Sequence, residues 1–324
     1  MASDEPTAYV AGEYVPESEA AVPVTDPGFR WGYNVYDVLR TYGGDPFMLD
    51  AHLDRLERSC RSVGIDLHLG RDTLREVVER VLDSKVERLE DGDDAMAYVT
   101  VSGAWSVHDG RDVEGDPRVV VTAHRIPFEK NARKYVEGAR LTTTGTRQVP
   151  PTSVPPRIKH QSRLHFVLAD HEAKRADPDS LPLLLDAEGN VTEMAHANVF
   201  AVVDGTLLTP PGKRVLEGVS RSVVLDLAGN LDGVTAREGD LQPYDLYRAE
   251  EVFYTNTTQF VTPVVGVDGR TVGDGRPGAV TERLLEAGSE RVGLDIVAQF
   301  LRSLPKEDRP GCLRLGGDES AAPE

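Results

Sequence analysis

The segment from Pro155 to Phe200, PPRIKHQSRLHFVLADHEAKRADPDSLPLLLDAEGNVTEMAHANVF, constrains the fold more than any other part of the chain. Leu164, Val167, Leu168 and His171 recur at helical spacing, which predicts a helix just after Lys159. Glu193 then precedes Asn198-Val199-Phe200, which predict a strand closing at an Asp204-Gly205 hairpin turn. Lys159 is one of only seven lysines, against 29 arginines. Held behind the Pro155-Pro156 pair where a helix begins, it is expected to be partly desolvated and near the positive end of the helix dipole. Both effects favour the neutral amine, the nucleophilic form. Taken singly, such a lysine is more often solvated surface, and Glu193 more often a turn residue. The rest of the chain has to decide.

Other stretches supply anion-binding groups. Asp50 is a good N-cap for the helical run AHLDRLERSCRSVGI, whose buried stripe is expected at Leu53, Leu56, Cys60 and Val63. His52 and Arg55 lie one turn apart, off that stripe, and an arginine on a rigid helix offers a phosphate a fixed fork of donors. Gly218-Val219-Ser220-Arg221 opens a helical pattern carried by Val223, Val224 and Leu227. A glycine at a helix entry lets free backbone N–H groups face an anion. Thr257 and Thr258, in a strand-turn-strand run, add hydroxyl and backbone donors. A lysine for a covalent bond, an acid to keep a ring nitrogen protonated and a set of phosphate donors are what pyridoxal phosphate (PLP) requires.

These motifs carry a family resemblance. From about Val22 to about Leu285 the chain resembles the class IV aminotransferases, the fold-type IV PLP enzymes, which include branched-chain and D-amino-acid aminotransferases and aminodeoxychorismate lyases. The E-x-x-x-x-N-hydrophobic-F run from Glu193 to Phe200 is fairly specific to that group. The resemblance implies a smaller N-terminal α/β domain, a larger β-rich α/β domain and a homodimer in which a partner loop helps close the pocket. It implies Lys159 as the catalytic lysine, forming a Schiff base with PLP and then carrying a proton, and Glu193 as the partner of the ring nitrogen. Arg55, Val219, Ser220, Thr257 and Thr258 would hold the phosphate, with Arg221 bracing its loop. Tyr36, Val38 and Arg40, on one predicted strand, would line the substrate pocket. The reaction implied moves an amino group between an amino acid and a 2-oxo acid. Lyase chemistry, eliminating pyruvate from aminodeoxychorismate, is the alternative, and a PLP-binding protein without turnover is a more distant one.

Departures from the family pattern bear on the substrate. Relatives often carry Thr-Arg-Gly where this chain has Val101-Ser102-Gly103, and His108 and Arg111 do not match the spacing of the arginine and histidine of D-amino-acid enzymes. Leu164 stands where branched-chain enzymes usually have tyrosine, whereas Gly273-Asp-Gly-Arg-Pro-Gly278 looks like the branched-chain branch. The two signals conflict. That glycine run also spells G-x-G-x-x-G, but Pro277 inside the turn and the short remaining chain argue against a dinucleotide fold. The spacing of His160, His165 and His171 does not fit a helical zinc site, so no metal is expected.

Along the chain, a first domain is expected over residues 1–125, a connection without clear period over 126–136, the PLP-binding domain over 137–303 and a disordered acidic tail over 304–324. A second amphipathic helix is predicted from Asp72 to Leu89 through Leu74, Val77, Val78, Val81 and Leu82. The formal net charge of −18 repels nucleic acid and anionic lipid, which excludes both as expected partners. It suits a high-salt cytoplasm, where screening shrinks self-repulsion. Two cysteines, Cys60 and Cys312, form no disulfide framework, and no apolar run approaches a membrane span; both point to the cytoplasm.

Overall fold

The computed structural model describes residues 5–108 and 111–309, with the backbone only for 105–108 and 111–114. Strands β1 (Thr7–Val10), β2 (Glu13–Pro16), β3 (Asn34–Tyr42), β4 (Asp45–Pro46) and β5 (Ala95–Ser102) are followed by a hairpin of β6 (Trp105–His108) and β7 (Arg111–Glu114), and then by β8 (Arg118–Arg125). All but the hairpin form one antiparallel sheet in the order β2-β1-β8-β5-β3-β4. After α1 (Pro27–Trp31), helices α2 (Leu49–Ser62) and α3 (Arg71–Val86) cover one face of this sheet. The two apolar stripes read from sequence are buried except for Val63, which lies just past the end of α2 and is only partly buried. Leu53, Leu56 and Cys60 of α2, with Leu74, Val77, Val78, Val81 and Leu82 of α3, join Val35, Leu39, Val99 and Val121 in one core.

Between the two sheets runs α4 (Phe128–Glu137), in the segment expected to be a connection without period. Its Phe128, Ala132 and Tyr135 pack into the core of the second unit, so the connection is itself helical. The second sheet contains β9 (Ala139–Thr143), then, after α5 (Leu164–Ala176), β10 (Ser180–Leu185), β11 (Val191–Met194), β12 (Ala197–Val203) and β13 (Thr206–Thr209). Helix α6 (Val219–Gly229), β14 (Thr235–Glu238), α7 (Pro243–Tyr247), β15 (Glu251–Asn256), β16 (Phe260–Val267) and β17 (Arg270–Thr271) follow, and α8 (Ala279–Val292) and α9 (Ile296–Leu301) finish the unit. Pairing runs β11-β10-β9-β16-β15-β12, and β11 also pairs with β12, which closes a six-stranded barrel. Closure removes the sheet edges that would otherwise stay unpaired.

Period-two patterning explains how this barrel is filled. On β12, Val199, Ala201 and Val203 join the barrel core with Leu141, Leu183, Tyr254 and Val264. The alternate residues Phe200 and Val202 face the helical layer, where Phe253, Val224, Leu284 and Phe300 meet them. The turns follow from sequence as well. Asp204 and Gly205 have φ of 50° and 71°, which a two-residue hairpin requires and which glycine and aspartate tolerate.

The glycine-rich run 273–278 leads into α8 after β17, which pairs antiparallel with β16. The N-terminus of α8 is filled by Glu251, whose carboxylate accepts from Val280 N (2.8 Å), Thr281 N (2.8 Å) and Thr281 Oγ1 (2.7 Å). A carboxylate already seated there leaves no cradle for a pyrophosphate. The expected tail 304–324 lies mostly outside the described residues; a single 3₁₀ turn, Lys306–Asp308, falls within them.

Candidate active site

Lys159 belongs by chain order to the second unit, yet its backbone is stitched to the first. Its carbonyl accepts from Tyr36 N at 2.9 Å and its N–H donates to Ser59 Oγ at 3.2 Å. It stands several residues before α5, not at that helix's start, so the expected dipole effect is corrected: other forces act on the amine. Burial is the largest of these and the Arg55 guanidinium the next; together they lower its pKa to about 7. The ammonium lies 4.6 Å from the centroid of the Tyr36 ring.

The apolar series after Lys159 forms the expected helix, α5, but its residues lie exposed. Leu164, Val167 and Leu168 are 70%, 49% and 48% exposed, and the buried face of α5 carries Phe166 and Ala169, packed with Leu184, and Ala173. Helical spacing correctly gives the helix but cannot say which of two apolar stripes meets the chain's own sheet.

Lys159 opens into a cavity of about 770 Å³ that is partly open to solvent and is also lined by Arg55, Glu193, Val219, Ser220 and Thr257. Six of the residues singled out in the sequence therefore come together around one space of ligand-binding size. Glu193 and Asn198 are direct cross-strand partners in the β11–β12 hairpin. The Glu193 carboxylate accepts from Leu216 N at 3.1 Å, while Asn198 Nδ2 donates to Leu216 O at 2.9 Å. The E-x-x-x-x-N spacing thus clamps Leu216 from both sides and fixes the approach to α6. Gly218 precedes α6 and lies so close to Asn198 Oδ1 that any side chain there would collide with it.

Burial raises the Glu193 carboxyl to about 7, opposed by Leu216 N–H and by Lys159. Its other oxygen accepts from Gln148 Nε2 at 2.6 Å, and Gln148 Oε1 meets His165 Nε2 at 3.0 Å. Gln148 carried no pattern that sequence reading could have used, and His165 drew notice only as one of three histidines whose spacing does not fit a zinc site.

At the other end, Arg55 is buried on α2 and held by Asp37 of β3 through Nε (2.8 Å) and a second nitrogen (2.7 Å). Asp37 also bonds His52 Nδ1 at 2.7 Å. Burial alone would raise the Asp37 carboxyl, but Arg55 and His52 outweigh it and hold the carboxyl well below the usual carboxylate range. His52 shifts the opposite way: burial holds it below its ordinary value. Sequence reading found Arg55 and His52 but not Asp37. Its signal was alternation along β3, which turns Val35, Asp37 and Leu39 toward α2. The residual donor of Arg55 reaches only Glu217 O at 3.3 Å.

Helix α6 has no side-chain cap, the N–H groups of its first turn have no intrahelical acceptor, and Val219, Ser220 and Arg221 of that turn line the cavity. Thr255 also lines the cavity, and its buried Oγ1 has no hydrogen-bond partner among the described residues.

Four sequence-chosen residues do not line this space. Thr258 turns to Asn256 Oδ1 (3.1 Å). Tyr36 borders the site through its contact with Lys159, and Val38 is half-buried beside Thr257, whose hydroxyl meets its carbonyl at 3.2 Å. Arg40, expected at the substrate, is instead a buried brace. It bonds Thr258 O (2.7 Å), Gln299 Oε1 (2.9 Å), Thr41 O (2.8 Å) and Asp94 (3.4 Å) and stacks on Tyr42. His108 and Arg111 have side chains outside the described residues. Among the described residues no cluster of three metal-binding side chains occurs, and no helix is long and apolar enough to cross a membrane.

One cavity thus holds a buried amine, a buried acid and groups able to donate to an anion. Amino-transferase class IV matches residues 34–267, and the chain belongs to that family of PLP-dependent transaminases. It is 34% identical over 86% of its length, and 93% of the relative's, to a Methanocaldococcus jannaschii protein named as a branched-chain-amino-acid aminotransferase. It is 30% identical over 85% of its length to a D-alanine aminotransferase of Bacillus licheniformis, covering 93% of that protein. Among solved structures, the branched-chain amino acid aminotransferase from Escherichia coli aligns with a TM-score of 0.77 and 27% identity, over 90% of this chain and 94% of that one. The residues present fit PLP: the uncapped first turn of α6, the partnerless Thr255 hydroxyl and the under-used Arg55 donor suit its phosphate, and Glu193 suits its ring nitrogen.

Proposed function

We propose that this transaminase moves an amino group between a 2-oxo acid and an amino acid of the branched-chain or D-amino-acid kind, with Lys159 as its catalytic lysine. The observation that carries the reading is the buried Lys159 amine, with pKa near 7, in one cavity with Glu193. When bound, PLP supplies the electron sink that stabilises a carbanion at the substrate's Cα. Lys159 would hold the cofactor covalently and, when free, would take the proton from Cα and deliver it to the cofactor's C4′, the shift that moving an amino group requires; a pKa near operating pH suits both roles. Glu193 holds a proton on the ring nitrogen, and its hydrogen bonds from Gln148 and Leu216 keep it in place. Arg55, the Val219 and Ser220 N–H groups and Thr257 hold the phosphate; Thr258 supports that turn from behind. Tyr36 borders the substrate beside Lys159. The division into two sheets with α4 between them supports reading the chain as two domains.

The working unit we propose is a homodimer. Leu164, Val167 and Leu168 of α5 and, joined to them through the Ser162–Gly32 hydrogen bond (3.0 Å), Phe29 and Trp31 form an exposed apolar region that a second copy would cover. The acidic balance of the chain suits a salt-rich cytoplasm. Light scattering across a salt series, with activity followed in parallel, should lose dimer and activity together as salt falls. A fully active monomer would refute the dimer.

Borohydride reduction of the PLP-loaded protein, followed by peptide mapping, tests the lysine assignment. The pyridoxyl label is expected on Lys159; a label on another lysine, or none, overturns it.

A further inference from the structure

The charge inside the cavity runs against that of the chain. With a formal net charge of −18 overall, the lining contains a single carboxylate, Glu193, against Arg55, Lys159, Arg163 and Arg221. Three of the four cations are accounted for. Arg55 is paired with Asp37, Arg221 with Glu238 at 2.7 Å, and Lys159 is the amine of the reaction.

Arg163 is different. Among the described residues it pairs with no carboxylate; its only hydrogen-bond contact is His196 Nδ1 at 3.4 Å, a long bond to an uncharged partner. Its guanidinium lies 4.4 Å from the Phe166 ring centroid and 6.0 Å from that of Tyr36, the ring that also contacts Lys159. Stacking on aromatic rings holds the plane of an arginine while leaving its edge donors free for a planar anion. The imidazoles around it do not compensate the charge. Burial and the Arg163 charge itself keep His160, His165 and His196 below their ordinary values, hence neutral near pH 7.

Resting on the transaminase reading above, we propose that Arg163 is a specificity residue that binds the distal carboxylate of a dicarboxylic amino acid or 2-oxo acid. The substrate's α-carbon must stand at the buried Lys159 amine, so its α-carboxylate is held deep. Arg163 is half-exposed at the rim, stacked beyond Tyr36, and reaches the far end of the molecule. A monocarboxylic substrate would leave it in water at no loss.

The test uses the PLP-loaded holoenzyme and the variants Arg163→Gln and Arg163→Lys. KM is measured for L-glutamate against L-leucine and for D-glutamate against D-alanine. In Arg163→Gln the ratio of the dicarboxylic to the monocarboxylic KM should rise about ten- to a hundredfold for the productive stereoisomer, the loss of a charge-assisted hydrogen bond. Arg163→Lys should recover part of it. The unchanged cofactor absorbance of both variants would exclude a folding defect. An equal rise for both substrate kinds would mean an α-carboxylate contact and overturn the proposal, as would no change. Wild-type enzyme that turns over monocarboxylic but not dicarboxylic substrates overturns the Arg163 assignment alone, whereas no turnover of any amino acid overturns the transaminase reading with it.

Discussion

Arg55 and Arg40 make an instructive pair. Both are buried, to 4% and 1% exposure, and both contact an aspartate of the first unit, Asp37 and Asp94 respectively. The donors of Arg40 are used up between two units of the fold: Nε, Nη1 and Nη2 all meet acceptors, and the ring of Tyr42 lies 3.8 Å below. Arg55 spends two nitrogens on Asp37 and leaves the third with one long contact at the cavity wall. A buried cation with no donor to spare is a brace; one with a spare donor facing space is a binding group. Burial and pairing alone do not separate them.

The largest effect that would break this comparison is on stability. Arg40→Ala is expected to destabilise the protein by about 3 kcal/mol, the lower end of the cost of orphaning a buried charge. The low end applies because Asp94 keeps bonds from Thr41 Oγ1 (2.6 Å), Gly43 N (3.1 Å), Gly44 N (3.0 Å) and Gln299 Nε2 (2.6 Å). Denaturant unfolding would measure it, with PLP affinity of the surviving fold near wild type. A stable Arg40→Ala protein with weakened PLP binding would reverse the two roles.

Arg55→Ala should show the opposite split. PLP affinity should fall about ten- to a hundredfold, from losing charge-assisted phosphate bonds worth roughly 1.5–3 kcal/mol. Arg55→Lys keeps the charge but not the fork, so it should recover only part of the affinity. Fluorescence titration of apoprotein with PLP measures both; wild-type affinity in Arg55→Ala would remove this residue from the phosphate site.

The same contrast explains what the sequence could and could not reveal. Local signals travelled well: the heptad-like stripes of α2 and α3, the alternation of β12 and the Asp204-Gly205 turn all depend on neighbours a few residues away. Arg55 was found through its own H-x-x-R pattern, and Glu193 and Asn198 through a spacing that makes them cross-strand partners. Arg40 misled because side-chain direction on β3 puts Tyr36, Val38 and Arg40 on one face, while what waits there changes along the strand. Tyr36 meets Lys159, but Arg40 meets Thr258 and Gln299, hundreds of residues away in sequence. Gln148 and His165 act through contacts that no local pattern encodes, whereas the alternation of β3 gives the direction of Asp37 but not its partners Arg55 and His52. Leu164, Val167 and Leu168 show a further blind spot, since an apolar stripe looks alike whether it meets the chain's own sheet or lies exposed.

Glu193→Gln sharpens the comparison at the other end of the cavity. The amide keeps the shape and can still meet Gln148, but it cannot hold a charge against a protonated ring nitrogen. PLP should stay bound while kcat falls roughly a hundredfold or more, within the range of acid–base contributions. Wild-type kcat in this variant would mean that Glu193 is not the ring partner.

The smallest effect concerns the reach of the Arg55 charge to Lys159. Burial first and Arg55 second lower the Lys159 pKa to about 7, so the amine is protonated and inert below that pH and free above it. The rate at which apoprotein captures PLP covalently should therefore climb about tenfold per pH unit below 7 and level off above it. A solvent-exposed lysine would keep climbing toward its ordinary pKa of about 10.4. Linkage gives the same sign. Between about 7 and 10 the unfolded chain binds this proton and the folded one does not, so the lysine's contribution makes stability rise with pH across that window. Arg55→Met removes the second cause and leaves the first. Its capture profile should move to higher pH by less than the whole displacement, whereas Arg40→Met, whose charge is spent at the brace, should leave the midpoint where it is. Stopped-flow absorbance at several pH values reads this directly. A midpoint that moved with Arg40 and not with Arg55 would mean that the cavity's field is set from the brace after all.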